Sequence, residues 1–126
     1  MAPWYSPLVP ETQAAADIRI VLSTFPSPEK AAEIGRILVE EELAACVNLL
    51  PGVRSIYRWQ GAISDDTETL ALIKTTAARY DALASRLVSL HPYEVPELIA
   101  VSPAAVHAPY LAWIAECLAS AARAAE

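Results

Sequence analysis

The chain has 126 residues, enough for one domain with a real core and short for two. Its net charge of −6 and pI near 4.8 argue against nucleic acid or an anionic membrane as partner, because phosphates are gripped by clustered Lys and Arg and no such cluster occurs. With 55% hydrophobic and 19% charged residues it carries more apolar surface than a lone domain of this size buries comfortably, so a homo-oligomer is expected.

The opening MAPWYSPLVPETQAAA has neither the basic end nor the continuous apolar stretch of a secretory signal, and its prolines interrupt any bilayer-spanning helix. It is expected to be a flexible tail, 1–16, on a cytoplasmic protein whose single domain runs over 17–126. IRIVLST, Ile18 to Thr24, is dense in β-branched residues and reads as a central strand. Ser27-Pro28-Glu29 then opens a helix: Ser caps free N–H groups, Pro fits the first turn, and Glu suits the positive end of the dipole. Ala31, Ile34 and Leu38 recur at helical spacing, which carries that helix to about Leu43.

From Cys46 the residues Val53, Ser55, Tyr57 and Trp59 alternate with Arg54, Ile56 and Arg58, a strand bent at Pro51-Gly52. An acidic turn is expected at Ser64-Asp65-Asp66, and TETLALIKTT alternates again, completing a long antiparallel pair. Tyr80, Leu83, Ala84, Leu87 and Val88 mark a second helix from Ala77 to Leu90. It must stop at His91, because Pro92 disfavours helical geometry in the residue before it. Glu97 to Val101 follows as a fourth strand, and a last helix runs from about Ala108 to Ala122 with Tyr110, Trp113, Ile114 and Leu118 as its stripe. The order β-α-β-β-α-β plus a C-terminal helix predicts an α+β, ferredoxin-like split βαβ sandwich with an antiparallel sheet.

Catalytic motifs are absent: there is no G-x-S-x-G, and Gly35, Gly52 and Gly61 lie too far apart to form a phosphate loop. No enzyme is expected. Cys46 and Cys117 have no paired spacing and read as reduced thiols. His91 and His107 fall in no metal-ligand spacing; His91 is read either as the cap of the second helix or as a ligand beside the glutamates of HPYEVPE, and His107 as a solvent-facing cap. Glu68 and Lys74 share a strand face with Leu70 and Leu72, so each either finds a partner or reaches water at a strand end. Trp59, Tyr57 and Tyr93 are either pocket walls or interface anchors.

LAACVNLLPGVRSIYRWQG, ETLALIKTT, HPYEVPELIAV and YLAWI, in this order, resemble the CutA family of divalent-ion tolerance proteins over about residues 18 to 118. The resemblance implies a ferredoxin-like subunit in a tight homotrimer, similar in architecture to the PII signalling proteins. It places the characteristic residues at Trp59, Gly61, Glu68, Lys74, His91, Pro92, Tyr93, Pro96 and Glu97, with Trp59, Glu68, Lys74 and Tyr93 near an inter-subunit cleft. It also implies copper or another divalent metal ion, held by a Cys near the end of the first strand with His and Glu of the HPY-x-x-PE region. This chain has Ser23 at the Cys position and Leu90 where some relatives carry a second His, which leaves His91 and Glu97 as the implied ligands. Soft ions such as Cu(I) favour thiolate over a neutral hydroxyl. Two alternatives stand beside metal response: a PII-like sensor holding a small anion with Lys74 and Arg58, and a trimeric scaffold for another protein.

Overall fold

The computed structural model describes residues 17–119; the 1–16 tail and the expected end of the last helix at Ala122 lie outside them. Strand β1, Ile18–Phe25, occupies the interior of the sheet, pairing with β3, Ala62–Thr76, on one side and β4, Ile99–Val101, on the other. Strand β2, Cys46–Trp59, forms the far edge, giving an antiparallel sheet of order β2-β3-β1-β4. That order, with its helices, is the ferredoxin-like split βαβ fold expected from the element sequence.

Helix α1, Pro28–Glu40, begins as the sequence predicts, with the Ser27 hydroxyl accepting from the Lys30 N–H at 3.1 Å. It ends three residues short of Leu43. Glu42 turns left-handed at φ 57°, and the N–H groups of Leu43 and Ala44 both donate to the Leu38 carbonyl. This closure satisfies orphan carbonyls and sends the chain into β2.

The β2–β3 hairpin corrects the sequence reading most. Its turn is the pair Gln60-Gly61, both at positive φ (49° and 81°), and Ser64, Asp65 and Asp66 lie inside β3. Two residues of positive φ match the twist of flanking strands, which fixes the register. The aspartates then find partners across the ladder: Asp65 takes two bonds from the Arg54 guanidinium at 2.9 and 2.6 Å. Asn is the residue best suited to the first position of such a turn. Gln60→Asn is therefore expected to raise stability by about 0.5 kcal/mol, seen as a higher urea midpoint.

The ladder slips at Pro51-Gly52, between the Leu50 and Val53 rungs, where the bend was expected. Beyond that bulge, β3 residues 62–68 pair with β2 alone, because β1 reaches only Thr69 to Thr76. The outer half of the hairpin is thus a two-stranded ribbon.

Helix α2, Ala77–Leu90, buries Leu83 and Leu87, whereas Val88, expected in the same stripe, is exposed. Together α1 and α2 cover one sheet face over Val21, Phe25, Ala71 and Ile73. Helix α3, Ala108–Cys117, packs on the other face at one end, where Leu111 and Ile114 meet Ile18 and Ala45. Tyr110 and Trp113, predicted in one stripe with Ile114 and Leu118, pack half-buried against this second cluster and stack on each other at 5.5 Å. Strand β4 is shorter than the expected Glu97–Val101 because the ladder stops at Leu22–Ile99; the Thr24 carbonyl beyond it is taken by a side chain described below. Among the described residues no helix is long and apolar enough to cross a membrane.

Candidate functional site

Pro92 forces extended backbone on the residue before it, and His91 adopts φ −70°, ψ 135° directly after α2. Its N–H still closes the helix on the Leu87 carbonyl at 2.9 Å, the capping role expected for this position. The ring turns inward, is only 8% exposed, and stacks on Phe25 at 4.6 Å. Nε2 lies 2.9 Å from the Thr24 carbonyl, which can only accept, so Nε2 carries the proton. Nδ1 then accepts the Tyr93 N–H at 3.1 Å. These two bonds fix one neutral tautomer and use both ring nitrogens. Burial pushes the imidazole below its ordinary pKa; the Thr24 bond and the charge of Glu68 oppose that shift.

Having oriented the Tyr93 backbone, the corner aims its side chain at β3. The phenol donates to Glu68 Oε2 at 2.5 Å, and burial followed by the Glu68 carboxylate drives its pKa far above the usual tyrosine range. Glu68 is only 8% exposed. On β2 the Tyr57 hydroxyl donates to Asp66 Oδ2 at 2.6 Å, a bond that raises that phenol's pKa as well. Between the 92–97 loop and the hairpin lies a cavity of about 700 Å³, walled by Tyr57, Trp59, Glu68, Tyr93, Glu94 and Glu97. No Lys, Arg or His belongs to its lining among the described residues.

Of the residues singled out by sequence, the fold gathers Tyr57, Trp59, Glu68, Pro92, Tyr93, Glu94 and Glu97 around this cavity, whereas His91, Lys74 and Arg58 are not part of its lining. His91 stands behind the wall as its support. Lys74 shares the face of Glu68 but sits under α3, where its ammonium donates to the Tyr110 hydroxyl at 3.3 Å and lies 5.5 Å from the ring centroid. Arg58 pairs with Ile63 near the hairpin tip on the opposite face, so it does not converge with Lys74 within one chain. Leu90 packs against the main core, and His107 caps α3 with an exposed side chain that makes no capping bond. Cys46 and Cys117 are free, half-buried thiols.

Ser23 alternates with Val21 and Phe25 on the helix-covered face, is fully buried, and its hydroxyl has no hydrogen-bond partner among the described residues. An unpaired buried hydroxyl is costly, so Ser23→Ala is expected to stabilise the protein by about 1 kcal/mol, measured by urea unfolding. A soft metal such as copper does not fit this corner: the hydroxyl is neutral, and each His91 nitrogen is already bonded. Among the described residues no group of three or more His, Cys, Asp or Glu is arranged to hold a metal ion. Sequence reasoning missed Asp66 and Thr24 as parts of the site. A turn placed at Gln60-Gly61 would have found Asp66, since it sets Ser55 opposite Asp66.

The family described as CutA1 divalent ion tolerance protein matches residues 19–117. The chain is 50% identical over 97 residues to the divalent-cation tolerance protein CutA of Thermus thermophilus, covering 77% of this chain and 94% of that protein. It is 47% identical over 91 residues to human protein CutA, covering 72% of this chain but only 51% of the longer human protein. The crystal structure of CutA from Xylella fastidiosa superposes with a TM-score of 0.79 at 46% identity, covering 81% of this chain and 98% of that one.

Proposed function

The chain belongs to the CutA1 divalent ion tolerance family, and on that premise we propose that it acts as a cytoplasmic homotrimer that responds to divalent metal ions by binding, without catalysis. Assembly is supported by the apolar surface on the hairpin and sheet edge: Ile56 and Ile63 are 65% and 63% exposed, and Ile99 on the short edge strand is 53% exposed. Open edges and apolar patches of this kind are normally covered. The two free thiols accord with a reducing compartment.

The observation that carries the metal reading is the concentration of Glu68, Glu94 and Glu97 on one cavity with no basic residue in its wall. Carboxylate oxygens suit hard and borderline divalent ions, so Glu97 with Glu94 makes the contact and His91 holds the loop that presents them. Light scattering is expected to give three times 13.6 kDa. Calorimetry with Mn(II) and Cu(II) should show weak saturable binding that falls several-fold in Glu94→Gln/Glu97→Gln. A tight copper site that survives this double substitution and vanishes in His91→Gln would overturn the assignment.

A further inference from the structure

We infer that the cavity beside the 92–97 loop is a binding site for an organic cation, an alkyl- or arylammonium whose charge is received by Glu68 and whose apolar body lies against Tyr57, Trp59 and Tyr93. The first ground is an uncompensated buried charge. Glu68 is more than nine-tenths buried and lines the cavity, yet among the described residues of this chain no Lys, Arg or His forms an ion pair with it. Among the described residues its one hydrogen bond comes from the neutral Tyr93 hydroxyl. A carboxylate withdrawn from water without a countercharge costs several kcal/mol, and a cation arriving in the cavity recovers that cost.

The second ground is the aromatic wall. The Tyr93 and Tyr57 hydroxyls are tied to Glu68 and Asp66, which fixes both rings at the cavity, while Trp59, 42% exposed, stands beside them. Electron-rich ring faces attract ammonium groups, and indole does so best. A volume of about 700 Å³ is that of a small organic ligand and far exceeds a single bare ion. Burial and then the Glu68 bond raise the Tyr93 phenol pKa, and the Asp66 bond raises that of Tyr57; the two carboxylates also make the cavity favourable for positive charge. This inference does not rest on the metal reading, and metal titrations test that reading separately.

The test uses the full chain, with benzylammonium chloride as probe and neutral benzyl alcohol as its isostere, read by tryptophan fluorescence and calorimetry. Saturable benzylammonium binding is expected, with benzyl alcohol at least tenfold weaker and with affinity lost at least tenfold in Glu68→Gln, which keeps an acceptor for Tyr93. Trp59→Ala, at a half-exposed position, should weaken binding while the protein stays folded by circular dichroism. Equal binding of the alcohol, or undiminished binding to folded Glu68→Gln, overturns the inference. So does an oligomer weakened in Glu68→Gln when benzylammonium shows no binding to the unsubstituted protein, since the countercharge would then come from a second copy.

Discussion

His91→Ala is expected to destabilise the protein by about 3 kcal/mol. The substitution removes the bond to the Thr24 carbonyl, the acceptor of the Tyr93 N–H and the stacking surface for Phe25 together. Each lost bond leaves a partner with no replacement in a corner that water reaches poorly, and the ring contact adds about 1 kcal/mol. Urea unfolding measures the sum, and an effect below about 1 kcal/mol would contradict this account. His91→Gln restores one donor and should fall between the two. Stability should also depend on pH through this residue. Its folded pKa lies below the unfolded value of 6.5, so between the two the unfolded chain binds more protons. The contribution of neutral His91 is therefore complete above that value and is lost as pH falls from it through the folded pKa. His91→Gln should flatten this limb of the curve.

Phe25→Ala is expected to cost about 4 kcal/mol. Phe25 is 1% exposed and joins the core under α1 and α2 to the His91 ring. Its removal opens a cavity in the packed layer and also strips the imidazole of its stacking partner. The double substitution with His91→Ala should cost about 1 kcal/mol less than the two single costs added, because the stacking contact can be lost only once. Strict additivity would show that the two rings do not support each other. Both variants should release Tyr93 from Glu68, so a rise in exposed tyrosine absorbance is expected to accompany the loss of stability.

Much of this architecture was legible because its signals are local. Ser27-Pro28 starts α1, Pro92 stops α2, and the alternation after Val53 marks a strand, each from side-chain chemistry within a few residues. The hairpin turn was misplaced because Ser64-Asp65-Asp66 looks like a turn by composition, while Gln60 carries no such mark and is held left-handed by the strands it joins. Asp65 and Asp66 settle as strand residues because Arg54 and Tyr57 reach them diagonally across the ladder, contacts that exist only once the register is set. The candidate site divides in the same way. Trp59, Glu68, Tyr93 and Glu97 line one cavity within the chain, but sequence order could not separate Glu68 from Lys74, which share a face of β3, Glu68 near its middle and Lys74 near its end under α3. Nor could it show that both His91 nitrogens are used inside the chain.

The ribbon beyond the Pro51-Gly52 bulge makes the hairpin a gauge of its own surroundings. Among the described residues, 53–59 and 62–68 have only each other as ladder partners, and an isolated two-stranded ribbon is marginally stable in water. Their amide protons should therefore exchange early in a dilute sample and slow down when something outside the chain grips them, whereas those of β1 should not respond. Tyr57 and Trp59 ride on this ribbon, so the cavity they wall is firm only while the ribbon is held. Whatever binds the ribbon from outside, a second copy of the chain included, should then raise the affinity of the cavity for its ligand.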